Sequence, residues 1–343
     1  MRHLLNTLFV LSENSYLHVD GENVVVSSED DLLGRFPLHT LTSIFYFGYK
    51  GASPALMGAC AKQNINLCFF TPNGRFLARV CGESHGNILL RKEQYRVSES
   101  PAESCRLARR FIAGKLYNAR WSLERATRDH PQRVEIDRLK AVCAQLASAA
   151  KKAEEMTDME TLRGLEGEAA KIYFGVLDEL FLNNKDVFYF QSRSRRPPMD
   201  NVNAMLSFVY AILANDCAAA LESVGLDPYA GFLHRDRSGR ASLALDLMEE
   251  LRPIFADRFV VSCVNNRLIK AHHFETNGNG AVMMNDAGRR VFLGAYQARK
   301  REQIQHPFLN EKISWGLIPY VQALLLSRFL RDDLDSYPPF LWK

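Results

Sequence analysis

Apolar positions change rhythm near residue 90. Before that point they come in short alternating runs, which is the signature of strands. Leu4 to Leu11 and Tyr16 to Val19 are strand candidates, and Asp20-Gly21 is a hairpin signal leading into Asn23 to Ser27. Further strands are expected at 35–39, 43–47, 65–70 and 75–81, with Pro72-Asn73-Gly74 marking the last turn. One helix, SPALMGACAKQ, interrupts them, with Ser53 as N-cap and Pro54 in the first helical position.

After residue 90 apolar residues recur at helical spacing almost throughout. Ser100-Pro-Ala-Glu103 reads as a capping box that opens a long helix to about Arg128. Thr157-Asp-Met-Glu160 reads as another. The helix it starts carries an apolar stripe of Leu162, Leu165, Ala169, Ile172, Tyr173 and Val176. The pattern predicts an α+β protein: a β-rich domain over residues 1–87, a linker over 88–99, and a larger all-α domain over 100–343. In so small a β domain, exposed strand edges and apolar faces need cover, so residues 1–87 are expected to hold a dimer.

Composition narrows the class. A chain of 343 residues can bury a sizeable core, and 47% hydrophobic with 24% charged residues is ordinary for a globular protein. The net charge of +4 permits nucleic-acid binding without demonstrating it. Seven scattered cysteines with no CxxC pair suggest reduced thiols in a cytoplasmic protein. The apolar run in MRHLLNTLFVLSEN is too short for a signal peptide, and AMLSFVYAILA, bounded by Asn203 and Asn215, is too short to span a bilayer.

Against this background three polar positions are out of place. Glu166 lies beside the apolar stripe of its helix, flanked by Gly164 and Gly167, which permit close approach by a backbone or a ligand. It could pair with a core arginine, Arg163 or a distant one, or it could hold a cation. Asp246 and Glu249 share a helix face, with Glu250 a neighbour at the same spacing. His234 precedes that helix by the turn-rich RDRSGRAS. Two carboxylates and an imidazole converging on one point would make a divalent-metal site. His272 and His273 have no acidic partner at useful spacing.

Basic residues cluster in three places: Arg106, Arg109, Arg110 and Lys115; Arg193, Arg195 and Arg196; and Arg289, Arg290, Arg299, Lys300 and Arg301. The first and third read as solvated helix faces. The loop RSRRPP, stiffened by Pro197 and Pro198 and preceded by Tyr189 and Phe190, suits phosphates and unstacked bases.

Four motifs in order carry a resemblance. They are E-G-x-A-A-x-x-Y-F, R-S-R-R-P-P-M-D-N-V-N-A-M-L-S-F-x-Y, G-L-D-P-Y-x-G-F-L-H and L-x-x-D-L-M-E-x-x-R-P. Together they resemble the integrase/endonuclease of CRISPR adaptation, the universal first CRISPR-associated protein, closest to its type I-C branch. LGRFPLHTLTSIFYFG and PNGRFLARV resemble that family's β-domain. The resemblance implies that Glu166, His234 and Glu249 are catalytic ligands of Mn²⁺ or Mg²⁺, with Asp246 an orienting or auxiliary residue. Many relatives carry aspartate where Glu249 stands, and only the resemblance separates Glu249 from Glu250.

The resemblance also implies insertion of protospacer DNA into a CRISPR repeat by transesterification, with Arg193, Arg195 and Arg196 on the DNA. It implies a homodimer, a heterohexamer with the small second CRISPR-associated protein, and a separate Cas-four-type nuclease as a further partner. A general nuclease on branched DNA or RNA, or a non-catalytic DNA-binding scaffold, would share the same acidic cluster.

Overall fold

The computed structural model describes residues 7–28, 31–72, 76–82 and 88–343. Its first part holds two sheets. Strands β1 (Thr7–Val10), β5 (Ser43–Phe47), β6 (Asn66–Phe70) and β7 (Phe76–Arg79) form a mixed sheet in the order β1-β5-β6-β7. Strands β2 (Tyr16–Asp20), β3 (Asn23–Ser28) and β4 (Asp31–Pro37) form an antiparallel sheet. The Asp20-Gly21 hairpin forms as expected, with Gly21 at φ +58°. The strand expected at 35–39 is the end of β4, and a 3₁₀ turn follows at Leu38–Thr40. The start of the Leu4–Leu11 strand and the Asn73-Gly74 turn lie outside the described residues. Helix α1 (Pro54–Lys62) starts where Ser53 Oγ accepts from the Leu56 N–H at 3.2 Å.

Alternation in the mixed sheet decides how the two halves meet. Ile44, Tyr46 and Leu67 face the antiparallel sheet and α1, where Leu17, Val24 and Leu56 bury them. Phe45, Phe47, Cys68 and Phe70 face the other way into the helical core. There Phe47 stacks on Phe208 with ring centroids 5.8 Å apart. The β region and the helices therefore share a core. Residues 88–99, expected as a linker, are helix α2 (Ile88–Glu99), with Leu90, Gln94 and Val97 buried. Gln94 fixes it by donating to the carbonyls of Asp227 and Ala230 at 2.7 and 2.9 Å.

The remainder is mostly helical. Helix α3 (Pro101–Asp129) starts at its Ser100 cap and runs through the centre, against α4 (Ile136–Glu155) and α5 (Met159–Phe174). The cap of α5 is Asp158, one residue later than the capping box predicts. Helix α6 (Asn201–Ser223) is long and apolar enough to cross a membrane, contrary to expectation, and it lies largely buried in the core. Helix α7 (Ser242–Leu251) passes through a π-helical turn, Arg252–Asp257, into α8 (Arg258–Asn265). Then come β8 (Phe274–Thr276), β9 (Val282–Met284), α9 (Asp286–Arg301), β10 (Gln303–Gln305), β11 (Lys312–Ser314) and α10 (Ile318–Leu330). The short ribbons β8–β9 and β10–β11 sit within this mostly helical part; strands of three residues are too short to show a period in the sequence.

Residues 337–342 close over α3 and α7. Asn118 donates to the carbonyls of Glu250 and Phe340 at 2.7 and 2.6 Å and accepts from the Trp342 N–H at 2.9 Å. Gly114 is needed at this junction, because a Cβ there would come within 2.9 Å of Pro339 and 3.2 Å of Glu250.

Candidate metal centre

Three helices bring the site together. Lys115 projects from the buried face of α3, among Phe111, Ile112 and Leu116. Its ammonium donates to Glu166 Oε1 on α5 and lies 2.6 Å from Glu249 Oε2 on α7. Glu166 therefore pairs with neither Arg163, which binds Glu160 and the Leu233 carbonyl, nor a distant arginine. The Glu166 carboxylate is 28% exposed and that of Glu249 only 5%, so the site opens along α5. Gly164 and Gly167 fit this opening: a Cβ at either would meet nothing within 4 Å.

Glu249 is held from two sides. Arg252 Nη1 donates to its Oε1 at 2.7 Å. Burial alone would raise its pKa, but Arg252 first and Lys115 next hold it below the ordinary carboxylate value. Its Oε2 touches the Lys115 charge but lacks any partner in hydrogen-bond geometry. The Lys115 ammonium thus stands at the oxygen a bound cation would take.

His234 is set by Asp246. Asp246 is fully buried on α7 and accepts from the backbone N–H groups of Phe232, Leu233 and His234 at 2.7, 2.9 and 3.0 Å. Its Oδ1 also lies 2.6 Å from His234 Nδ1. A carboxylate only accepts, so Nδ1 carries the proton and Nε2 presents its lone pair. This is the orientation a metal-binding imidazole needs. The approach depends on Gly231, where a Cβ would sit 2.7 Å from Ser242 and 3.0 Å from Asp246.

Glu250 faces away from these groups. It accepts from Tyr337 Oη at 2.5 Å, Gln322 Nε2 at 3.0 Å and the Phe340 N–H at 2.8 Å. Burial pushes its pKa up to about 7 against those bonds.

Among the described residues, no three His, Cys, Asp or Glu side chains already stand close enough to enclose one ion. Glu166 and Glu249 do meet at a single ammonium, and His234 is turned with Nε2 free of the Asp246 bond. By the chemistry of its groups, two carboxylates and an imidazole, the donor set fits a divalent cation of the Mn²⁺ or Mg²⁺ type.

The expected DNA-binding arginines divide. Arg195 and Arg196 are exposed. Arg193 is turned inward, contrary to expectation. Its guanidinium donates to the Ser194 carbonyl and Asn203 Oδ1 at 2.5 and 2.7 Å, and to Ser207 Oγ at 3.0 Å. The other basic clusters are partly structural. Lys115 belongs to the carboxylates, Lys300 pairs with Asp216 at 3.0 Å in the interior, and buried Arg289 binds Asp286 and the Met284 carbonyl. Sequence reading missed the roles of Lys115 and Arg252. The available signal was a lone cation on a largely apolar helix face, and a basic residue three positions after Glu249.

The family model for "CRISPR associated protein Cas1" matches residues 8–298. A CRISPR-associated endonuclease Cas1 of Chlorobaculum tepidum is 48% identical over 100% of both chains. One of Rhodospirillum rubrum is 46% identical, again over the whole of both. A Cas4/Cas1 fusion of Geobacter sulfurreducens is 33% identical and covers 97% of this chain, which spans 60% of the fusion. Among solved structures, a casposase bound to integration product superposes with TM-score 0.85 at 20% identity, covering 99% of this chain and 95% of that one. A Cas1 protein from Thermotoga maritima gives 0.81 at 23% identity, covering 95% and 97%. A Cas6-RT-Cas1–Cas2 complex gives 0.80 at 22% identity, covering 100% of this chain and 36% of that one. With a matching family model and relatives of this identity over its full length, the chain belongs to the Cas1 family, the CRISPR-associated endonucleases that integrate spacers in CRISPR adaptation.

Proposed function

We propose that this Cas1 chain binds Mn²⁺ or Mg²⁺ through Glu166, His234 and Glu249 and joins protospacer DNA to a CRISPR repeat by transesterification. The observation that carries this reading is the meeting of Glu166 and Glu249, from different helices, at one ammonium, with His234, oriented by a buried aspartate, near enough to Glu249 to act on its charge. When bound, the ion would polarise the scissile phosphate and lower the cost of ionising the attacking 3′-hydroxyl. The protein's own groups do the rest. Arg252 keeps Glu249 charged, Asp246 holds the proton on His234 Nδ1, and the open flank of α5 admits the strand. Exposed Arg195 and Arg196 meet phosphates, while Arg193 shapes their loop.

The imidazole among carboxylates favours Mn²⁺ over Mg²⁺. The β-rich residues pair two copies, supported by exposed Leu32, Leu33 and Phe36 on strand β4. The partners are DNA and a Cas2 protein in a heterohexamer, as the Cas1–Cas2 neighbour suggests. A separate Cas4-type nuclease follows from the fused relative, and the quoted motifs favour the type I-C branch. Seven free cysteines accord with a cytoplasmic site of action. The test is strand transfer on a branched integration intermediate with Mn²⁺ or with EDTA. Activity lost in EDTA and in Glu166→Ala, His234→Ala and Glu249→Ala is expected; full activity in all three variants would refute the ligand set.

A further inference from the structure

One aromatic ring joins the arginine loop to the Glu249 carboxylate. Helix α6 places Asn203, Ser207 and Tyr210 on one face, at four- and three-residue steps. Asn203 knits the loop: its Oδ1 accepts from Arg193 and from the Ser194 N–H at 3.2 Å, and its Nδ2 donates to the Ser192 carbonyl at 2.8 Å. Ser207 takes the second Arg193 donor, and the Arg193 guanidinium carbon lies 5.3 Å from the centroid of the Tyr210 ring. The Arg252 guanidinium carbon lies 4.5 Å from the same centroid, and Arg252 is the residue that grips Glu249 Oε1. The Tyr210 hydroxyl donates to buried Asp257.

Arg252 and Asp257 are five residues apart and would diverge on an α-helix. The π-helical turn Arg252–Asp257 narrows that divergence, and both side chains reach Tyr210. Local turns of this kind mark positions where a helix has been adapted to a site. The ring thus carries two cations that would otherwise repel, one serving the loop and one serving the carboxylate, with Asp257 to balance them.

We propose that Tyr210 is a positioning residue that couples the 192–196 loop to Glu249, so that a DNA strand on the loop and a metal ion at Glu249 strengthen each other's binding. The coupling rests on the reading of Glu249 as a ligand. It is reciprocal: the factor by which DNA tightens the metal equals the factor by which the metal tightens DNA.

The experiment uses the full chain and reads binding. Free Mn²⁺ is followed by electron paramagnetic resonance in titrations with and without a duplex. Duplex affinity is measured with Mn²⁺ and with EDTA, and thermal melts accompany each variant. Arg193→Met touches no proposed ligand, yet it should weaken Mn²⁺ binding about threefold to tenfold. Tyr210→Leu should weaken it at least as much and abolish the mutual enhancement of Mn²⁺ and duplex. Arg193→Met added to Tyr210→Leu should then change Mn²⁺ affinity less than about twofold, the mark of a shared path. Tyr210→Phe keeps the ring and should stay near the parent.

A residue that only packs would lower the melting temperature without moving Mn²⁺ affinity. If Tyr210→Leu does not fold, Arg193→Met alone decides. Unchanged Mn²⁺ affinity in Arg193→Met, with affinity lost in Glu249→Ala, overturns the coupling and leaves the ligand assignment intact. Mn²⁺ retained by Glu249→Ala overturns both.

Discussion

Glu249 and Glu250 are neighbours in sequence on α7 and turn to different partners: Glu249 meets the Lys115 ammonium, and Glu250 meets Tyr337, Gln322 and the Phe340 N–H. The pair separates chemistry from architecture. Glu249→Ala should fold and lose strand transfer. Glu250→Ala removes the acceptor of the Tyr337 hydroxyl and of the Phe340 N–H, while Gln322 keeps the Tyr337 oxygen and the Pro338 carbonyl, and should cost about 2–4 kcal/mol of stability. Chemical denaturation and an integration assay on both variants check this. Normal integration by Glu249→Ala, together with loss in a well-folded Glu250→Ala, would reverse the roles.

The arginine loop gives a second prediction. Replacing Arg195 and Arg196 with alanine should flatten the log–log salt dependence of duplex binding by close to one unit per lost phosphate contact. Arg193→Ala should instead lower the melting temperature, because its donors hold the loop. Binding curves at several salt concentrations read the first effect, and a melt reads the second. An unchanged slope in the double variant would move the DNA path to exposed parts of the other basic clusters.

Strand β4 gives a third. Leu32, Leu33 and Phe36 are 66%, 51% and 37% exposed on the edge strand of the antiparallel sheet. Replacing all three with serine should yield a monomer in light scattering, with little change in melting temperature. A dimer that survives would place the interface elsewhere.

His306 gives a pH dependence with a definite sign. Its Nδ1 accepts from the Leu309 N–H at 3.2 Å, so Nε2 carries the proton toward Gln322 Oε1 at 3.1 Å. Burial lowers its pKa below the ordinary 6.5. The unfolded chain then takes up this proton at higher pH than the folded one. The stability the neutral ring contributes is present above the unfolded value and is lost as pH falls through the folded one. Melting temperatures recorded between about pH 7 and pH 5 should fall less in His306→Gln than in the parent. Parallel curves would remove His306 from the acid response.

Much of the fold was legible because local chemistry and tertiary structure agree. Ser53-Pro54 and Ser100-Pro101 start helices where the caps require. The helical stripe of α5 buries Leu162, Ala169 and Tyr173, with Glu166 at its edge. Residues 88–99 misled because α2 is largely polar, and its buried Gln94 looks like a surface residue until its carbonyl partners are known. Lys115 was grouped with Arg106, Arg109 and Arg110 by proximity. Nine residues after Arg106 it lies about half a turn round the helix, on the side facing the carboxylates. Arg193 was not separable from Arg195 and Arg196 in a loop, where no period exists. The polar set Asn203, Ser207 and Tyr210 on apolar α6 was the visible trace of its anchor. The four ordered motifs named the carboxylates and the imidazole, but spacing could not reveal that Arg252 and Asp257 share a ring, because an α-helix would have parted them.

The closure of residues 337–342 over Asn118 and Glu250 bears on when the enzyme becomes competent. Asn118 meets Phe340 across 222 positions of chain, and Glu250 meets Phe340 across 90. Contacts so distant form late, after shorter loops have closed. Those contacts finish the setting of Glu250, the residue next to Glu249 on α7. During synthesis, the antiparallel sheet and α1 can close their own apolar cluster while the carboxylate helix still lacks its backing. Nuclease capacity would therefore arrive with the last-folding segment, after the surface proposed to pair the two copies has already formed.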